Sequence, residues 1–151
     1  MTVVTAQEFI THGCFKMKYN DLIEAQKAGA APWDDVYRED FHVVVFRDRF
    51  PVTPGHLLFV PMYNTLGVIN EAFGDAVQEG EHMVARGECD GYNVGLNMGT
   101  VAGQTVMYPH VHLIPRHQGD CEDPIGGVRG VIPSQANYKT GDYKIPKDIK
   151  N

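Results

Sequence analysis

Two histidines separated by one residue, His110 and His112, are the pair in this sequence best placed to do chemistry. In a β-strand alternate side chains point to the same face, so Tyr108 would join the two imidazoles there. The residues between and after them are apolar and would point to the opposite face: Pro109, Val111 and Leu113. One face of this strand is therefore predicted to be chemical and the other apolar.

A loop that contains several glycines and threonines, residues 97–105 (NMGTVAGQT), leads into this strand. Its backbone amides, with the side chains of Asn97, Gln104 and Thr105, can neutralise negative charge that develops on oxygen atoms. A neutral imidazole is a good nucleophile toward phosphorus near neutral pH. The loop and the two histidines together predict a site that handles phosphate by histidine chemistry.

Two further strands precede this segment and form a predicted hairpin. Residues 41–47 (FHVVVFR) and 56–61 (HLLFVP) have strand composition, and the connection between them contains two prolines and a glycine. A connection this short indicates antiparallel pairing. Asp48 follows the first strand and His56 begins the second. On pattern alone, Asp48 is equally well explained as a turn residue and His56 as a polar strand end.

The main helix is predicted over Val68–Val84, where apolar residues recur at spacings of three and four after the possible N-caps Asn64 and Thr65. A shorter helix is possible in residues 19–29, and a further strand in residues 92–99. The sequence therefore predicts a single α+β domain over residues 1–151, with a mostly antiparallel sheet of about five strands and one main packed helix. Its core covers about residues 37–135, and the C-terminal tail is expected to be flexible.

Composition excludes several classes of function. The chain has 151 residues, 43% of them hydrophobic and 21% charged, which is typical of a globular protein. A formal net charge of −6 argues against nucleic acid and anionic membranes as partners. No apolar run approaches the roughly 20 residues of a membrane span. The N-terminus has no basic region ahead of an apolar run, so no signal peptide is predicted.

The three cysteines, Cys14, Cys89 and Cys121, are widely spaced and form no CxxC pair. This pattern indicates neither a zinc knuckle nor a disulfide framework. We expect three reduced thiols and a cytoplasmic location.

Residues 103–117 (GQTVMYPHVHLIPRH) resemble the signature of the histidine triad (HIT) superfamily of nucleotide hydrolases and transferases. The family pattern is a GQ(S/T) loop, three histidines at alternating positions and a Pro-Arg pair. Three other segments resemble the family as well: its first hairpin in residues 46–61, its phosphate-binding segment in residues 93–106, and an arm in residues 122–133 (EDPIGGVRGVIP) that includes Arg129. The resemblance covers about residues 37–135.

The resemblance implies a role for each matched position. His110 takes the middle triad position, the family's nucleophile, which would attack the α-phosphorus and form a nucleotidyl-histidine that water hydrolyses. His112 would hydrogen-bond a phosphoryl or leaving-group oxygen, with Gln104 and His56 in supporting catalytic roles. Asp48 would bind ribose. The remaining expected substrate-binding residues are Asn97, Gly103, Thr105 and Tyr108, with Phe46 and Leu57 in an apolar adenine pocket.

The sequence departs from the family at Tyr108, which stands where the first triad histidine is expected. A phenol keeps a hydrogen-bonding edge but does not charge near neutral pH. The zinc-binding CxxC of many members is also missing, so neither a structural metal nor a cofactor is expected. The implied substrate is a purine nucleotide, with a diadenosine polyphosphate favoured over a nucleoside phosphoramidate, and the implied assembly is a homodimer.

Three alternatives remain open from the sequence. His110 and His112, with His56 or His117, could instead hold zinc or iron. The chain could also be a purine-nucleotide-binding or interaction protein that has lost fast catalysis, for which Tyr108 is the main support. Finally, both histidines could be structural, although the adjacent loop and Asp48 then have no explanation.

Overall fold

The computed structural model describes residues 18–140, which contain one sheet of five strands. The strands are β1 (Val36–Glu39), β2 (Val43–Arg47), β3 (Leu57–Pro61), β4 (Gly91–Leu96) and β5 (Val111–Arg116). All neighbouring pairs are antiparallel, in the spatial order β1-β2-β3-β5-β4. The predicted α+β class with a five-stranded antiparallel sheet is confirmed. The predictions for Cys14, for the first residues and for the tail beyond residue 140 lie outside the described residues.

A short helix, α1 (Leu22–Lys27), precedes the sheet. It lies within the predicted residues 19–29 and begins after Asp21, whose carboxylate accepts a hydrogen bond from the Glu24 amide at 2.7 Å. Gly29 follows the helix with a φ of 70°, as expected for a glycine that ends a helix.

The main helix, α2 (Leu66–Ala85), extends the predicted Val68–Val84 at both ends. It begins after Thr65, whose side chain accepts a hydrogen bond from the Val68 amide at 3.4 Å. Gly80 lies inside this helix at a position where the Tyr92 ring of β4 packs against it. A Cβ at Gly80 would lie 2.6 Å from Tyr92 Cδ2, so close packing requires a glycine there.

Each face of the sheet packs against one helix. The α2 face carries a core of strand and helix residues together with Cys89 from the connection between α2 and β4; the strand and helix residues are Val43, Val45, Leu57, Phe59, Ala72, Ala76, Met83, Val111 and Leu113. The opposite face, which we call the cavity face, packs against α1 through another cluster: Leu22, Ala25, Ala31, Val44, Phe46, Leu58, Val60 and Tyr108. β5 therefore gives Val111 and Leu113 to the core, and His112, which pairs with Leu58, to the cavity face.

β5 begins at Val111 and not at Tyr108, which corrects the predicted start of this strand. Pro109 lacks an N–H group and cannot donate a sheet hydrogen bond, so pairing starts only after it. Tyr108 and His110 therefore lie in the extended segment just before the strand. Within residues 18–140, no helix is long and apolar enough to cross a membrane. The two described cysteines, Cys89 and Cys121, are free thiols.

Candidate active site

A cavity of about 700 Å³ opens on the cavity face over β3, β5 and β4. Six residues that the sequence predicted for the site line it: Asp48, His56, Asn97, Thr105, His110 and His112. The register places His112 opposite Leu58 of β3 and Gly95 of β4. A Cβ at Gly95 would have no atom within 4 Å, so the space beside His112 stays open.

A backbone carbonyl fixes the proton of the His110 ring. His110 Nδ1 lies 2.8 Å from the carbonyl oxygen of Tyr108, and because a carbonyl only accepts hydrogen bonds, Nδ1 must donate. In the neutral ring the lone pair is then on Nε2. His110 is largely buried, and its ring centroid lies 4.9 Å from that of Trp33 and 5.0 Å from that of His112. The arrangement gives His110 the protonation pattern of a nucleophile.

His56 fixes the proton of His112 by the same reasoning. The Val52 amide donates to His56 Nδ1 at 3.1 Å, so the proton of neutral His56 is on Nε2. His56 Nε2 lies 3.0 Å from His112 Nδ1 and donates to it. The remaining ring nitrogen of His112, Nε2, then carries a hydrogen. His112 Nε2 is therefore a hydrogen-bond donor, and His56 does not occupy it.

All three imidazoles favour the neutral form. Burial lowers the pKa of His110, opposed by its bond to the Tyr108 carbonyl and by Asp48. Burial, then the neighbouring His110 and His56, lower the pKa of His112 to about 4. Burial also lowers the pKa of His56, against the attraction of Asp48. At neutral pH each of the three rings is therefore uncharged, and the lone pair on His110 Nε2 is not blocked by a second proton.

The hairpin side of the cavity combines a carboxylate with apolar side chains. Asp48 Oδ1 accepts a hydrogen bond from the Phe50 amide at 2.8 Å, and Oδ2 lies 3.5 Å from His56 Nε2. Trp33 and Leu58 line the same side. An apolar wall next to a fixed carboxylate is suited to a flat ring joined to a group with hydroxyls.

The sequence missed Trp33 and Leu58 and assigned the apolar wall to Phe46 and Leu57 instead. Neither of the latter two lines the cavity. Phe46 is buried behind Trp33, with ring centroids 6.1 Å apart, and Leu57 belongs to the core on the α2 face. The sequence did contain a signal for Leu58. Side chains alternate between the two faces of a strand, so Leu58 lies on the same face as His56, and Leu57 lies on the opposite face.

Gln104 braces the loop and does not line the cavity. Its Oε1 accepts a hydrogen bond from the Gly99 amide at 2.8 Å, and its Nε2 donates to the Val106 carbonyl at 3.1 Å. Gly103 follows a single 3₁₀ turn (Thr100–Ala102) with a φ of 88° and also lies off the cavity. The side chain of Gln104 therefore holds the loop in shape, and Asn97 and Thr105 are the loop residues that reach the cavity.

Tyr108 points toward α1 and away from the cavity, contrary to the substrate-binding role predicted for it. Its side chain is completely buried, and its hydroxyl donates to the Pro61 carbonyl at 2.8 Å, with the Met62 carbonyl at 3.2 Å. The burial raises the pKa of the phenol. Tyr108 therefore acts on the site through its backbone carbonyl, which orients His110.

The other side of the cavity, along β4, is closed by the arm, which in the structure extends from the predicted residues 122–133 as far as residue 138. Asn93, Ile114, Val128 and Val131 line this side. Arg129 holds the arm together by donating to the Ala136 and Gln135 carbonyls at 3.2 and 3.1 Å. Arg129 therefore contacts the backbone of the arm itself.

The donor set does not fit a metal ion well. Asp48, His56 and His112 have ligand atoms within 4.8 Å of one another. A metal on His56 Nε2 would require the ring proton on Nδ1, where the Val52 amide already donates. His117, the other histidine considered for a metal, contacts the Glu88 carbonyl at 3.1 Å and does not line the cavity.

Comparison with known proteins finds relatives in sequence and a similar solved structure. The chain is 36% identical over 136 residues to the protein hit of Bacillus subtilis, covering 82% of this chain and 83% of the relative. It is 29% identical over 100 residues to the adenylylsulfatase HINT3 of Arabidopsis thaliana, covering 62% of this chain and half of that relative. The crystal structure of a Streptococcus mutans protein, SMU.412c, superposes with a TM-score of 0.54 at 31% identity, covering 73% of this chain and 74% of the other.

The family model for the HIT domain matches residues 31–119, which include the hairpin, the main helix, the loop and the paired histidines. The matched range is more than half of the chain and contains every cavity residue of the sheet and loop. The chain therefore belongs to the HIT domain family.

Proposed function

We propose that this protein transfers a nucleoside monophosphate group from a purine nucleotide to water, or to another acceptor, through a covalent intermediate on His110. The observation that supports this most directly is the fixed tautomer of His110. Its Nδ1 proton is committed to the Tyr108 carbonyl, so a neutral Nε2 is available inside a cavity that also holds a hydrogen-bond donor, His112.

In the first step His110 Nε2 attacks the α-phosphorus. A nitrogen–phosphorus bond forms while the bond to the leaving group breaks, and the electron pair of that bond departs with the leaving group. The Nε2 hydrogen of His112 donates to a phosphoryl or leaving-group oxygen. In the second step water attacks phosphorus, the nitrogen–phosphorus bond returns its electron pair to His110, and the proton of the water passes to solvent.

Negative charge that builds on the non-bridging oxygens needs donors that are already in place. Asn97 and Thr105 reach the cavity from the loop that Gln104 braces. Donors held in position before the reaction stabilise such charge without reorganising, and this is usually the largest catalytic contribution.

The hairpin side of the cavity suits the nucleoside. Asp48 can accept hydrogen bonds from the ribose hydroxyls, while Trp33 and Leu58 offer an apolar surface to the base. The relationship to an adenylylsulfatase supports an adenylyl group, and the resemblance favours a diadenosine polyphosphate as the first substrate to assay. A homodimer and a cytoplasmic location stay predictions from the sequence.

The test is a His110→Ala variant with His42→Ala as a matched control. His42 is an exposed histidine that pairs with Glu71 at 2.8 Å and does not line the cavity. His110→Ala is expected to lower turnover of a diadenosine polyphosphate by at least about 10²-fold and to change affinity for AMP little, since few ground-state contacts are lost. His42→Ala should retain normal turnover.

Mass spectrometry of the wild-type protein quenched and denatured in alkali, in which a phosphorus–nitrogen bond to histidine survives, should show one added AMP group, absent from His110→Ala. Retention of more than a few per cent of activity by His110→Ala would contradict the covalent mechanism. Normal AMP binding without turnover or adduct in the wild type would instead favour a nucleotide-binding protein that has lost fast catalysis.

A further inference from the structure

The imidazole of His110 is restrained by a hydrogen bond at one atom. Its Nδ1 donates to the Tyr108 carbonyl at 2.8 Å, and this bond sets the tautomer. The χ2 torsion of a histidine has broad energy wells, and a hydrogen bond tolerates some tilt of its donor. Nε2 lies on the other side of the ring and moves with any such tilt. A reactive geometry at Nε2 therefore requires a second contact with the ring.

Two aromatic rings lie beside the imidazole of His110. The centroid of His112 lies 5.0 Å away, and that of Trp33 lies 4.9 Å away with an angle of 56° between the ring planes. An indole offers a broad apolar face that does not titrate, whereas the His112 ring is itself a polar group of the site. His110 is only 8% exposed although it lines the cavity. Trp33 is therefore the neighbour that can both restrain the imidazole and keep water from one of its faces.

Trp33 is packed from behind by two other elements. Its ring centroid lies 6.1 Å from that of Phe46 in β2, and the ring belongs to the partly buried edge of the apolar cluster on the cavity face. Its backbone carbonyl accepts a hydrogen bond from Gln26 Nε2 of α1 at 3.3 Å. The ring thus has apolar support on the side away from His110.

Two ion pairs fasten the residues that follow Trp33 to the end of β2. Arg49 Nη2 donates to both carboxylate oxygens of Asp34 at 3.0 Å, and Arg47 pairs with Asp35 at 2.9 Å. The Arg47 amide also donates to the Asp35 carbonyl at 2.8 Å. Exposed ion pairs are individually weak, but these two act on a segment that the packing of Trp33 already restrains. The position of Trp33 is therefore set by the fold before any substrate binds.

A second contact between an aromatic ring and a histidine shows what is particular to the first. The centroid of Phe41 also lies 4.9 Å from that of a histidine, His42, with an angle of 51° between the rings. Phe41 is 82% exposed, and His42 pairs with Glu71 at the surface. The same ring contact therefore leaves one imidazole in water and helps to bury the other.

The charge of His110 depends on this burial. Burial is the main cause that lowers the pKa of His110, and the hydrogen bond to the Tyr108 carbonyl opposes it. Removal of the Trp33 ring would admit water to the imidazole, so the pKa would rise toward the reference value of about 6.5. The titratable groups that face His110 from the neighbouring elements are Asp48, His56 and His112.

We infer that Trp33 is a positioning residue: its indole covers one face of the His110 imidazole and holds Nε2 in place for attack. This inference rests on the proposed function and adds a role to the contact of Trp33 with the base. The two roles are separable. Contact with the base changes the affinity for the nucleotide, whereas positioning of the nucleophile changes the rate after the substrate has bound.

The kinetic test compares Trp33→Leu, Trp33→Phe and the matched control Phe41→Leu. The assay is single-turnover release of AMP from a saturating diadenosine polyphosphate. Trp33→Leu keeps an apolar side chain but loses the flat ring, and it should lower the saturating rate about tenfold or more, because a misplacement of about 1 Å can cost 10²-fold. Trp33→Phe should stay within about threefold of wild type, and Phe41→Leu should match it. Thermal unfolding and AMP binding verify that each variant is folded.

Two further measurements do not require turnover. NMR titration of the His110 ring should show that its pKa rises toward about 6.5 in Trp33→Leu and changes less in Trp33→Phe. Trp33 is the only tryptophan in the sequence, so its fluorescence reports this site alone. Because a protonated imidazole quenches a neighbouring indole, emission of the wild type should fall as the pH drops through the pKa of His110. His110→Gln should abolish this change.

The outcomes separate positioning from contact with the base. A weaker affinity for AMP in Trp33→Leu, with an unchanged saturating rate and an unchanged His110 pKa, would overturn the inference. Emission that does not depend on pH, or that changes equally in His110→Gln, would overturn it as well. If the wild type shows neither turnover nor adduct while the pKa and the emission change as expected, the proposed function is refuted and the placement of His110 by Trp33 is still supported.

Discussion

Tyr108→His introduces the histidine that the sequence resemblance leads us to expect at this position, and we predict from the structure that it lowers stability without raising turnover. The phenol is completely buried next to α1, and its hydroxyl donates to the Pro61 carbonyl at 2.8 Å. An imidazole is shorter and leaves this carbonyl without its donor. The group that orients His110 is the backbone carbonyl of Tyr108, which the substitution keeps.

The expected cost has two parts. Loss of the hydrogen bond is worth about 1 kcal/mol. Replacement of a buried phenol by a smaller, more polar ring adds to this through the cavity that remains, within the usual range of about 2–5 kcal/mol for core truncations. We therefore expect the free energy of unfolding to fall by about 3 kcal/mol, or Tm by roughly 10 °C for a chain of this size. Tyr108→Phe, which removes the hydroxyl alone, should cost about 1 kcal/mol.

The assay is single-turnover release of AMP from a diadenosine polyphosphate, measured between about pH 5 and 9, together with thermal unfolding of both variants. Turnover of Tyr108→His at 25 °C should stay within about threefold of wild type, because no reacting group changes. A gain of 10²-fold or more, with a new titration near the histidine reference pKa of about 6.5, would refute this reasoning. It would mean that an imidazole at this position can donate a proton in the reaction.

Three further predictions follow from the cavity and from α2. Asp48→Asn should weaken AMP binding tenfold or more, as expected for charge-assisted bonds of about 1.5–3 kcal/mol, and should not alter binding of 2′,3′-dideoxy-AMP, as measured by calorimetry. The free energy of unfolding should fall as the pH drops from about 6.5 toward 4. The reason is that the pKa of His112 is about 6.5 in the unfolded chain and about 4 in the folded protein, so the unfolded state binds the proton first. A free energy of unfolding that does not depend on pH over that range would contradict this. Gly80→Ala should destabilise by about 1–3 kcal/mol because of the Tyr92 ring, whereas Gly74→Ala, where a Cβ has no atom within 4 Å, should stabilise by up to about 1 kcal/mol.

The main elements of the fold could be predicted from local sequence patterns. The α2 helix follows from apolar spacing behind Thr65, and the hairpin follows from two β-rich runs around a proline-rich turn. The predicted apolar face of α2 is wider than the surface that the sheet buries, however. Three of its residues are only partly buried: Phe73, Val77 and Val84. Apolar spacing identifies a helical face but does not say how wide a surface the sheet covers.

The structure brings the predicted histidines and Asp48 together at one cavity but places different residues on its apolar wall. His110, His112, His56 and Asp48 reach one cavity because alternation and turn position are local properties. Trp33 was missed because it comes from the segment before β1 and reaches His110 only through tertiary packing.

Two other differences between the predicted and the observed site also arise from tertiary contacts. Gln104 was expected to face the substrate, but its two hydrogen bonds close the loop on itself. Val128 and Val131 lie in a segment without periodicity, and only the bracing of the arm brings them over the cavity. A segment whose conformation depends on contacts far along the chain leaves no local pattern from which its contacts can be predicted.

The division of β5 between two faces also constrains how this gene can change. Val111 and Leu113 are completely buried in the core, while His112 and the adjacent His110 face the cavity. Insertion or deletion of one codon between residues 111 and 116 shifts the strand by one residue, so every side chain beyond the change moves to the opposite face of the sheet. A change of two codons keeps each of these side chains on its original face. Length variants of this segment that stay functional should therefore differ by even numbers of residues.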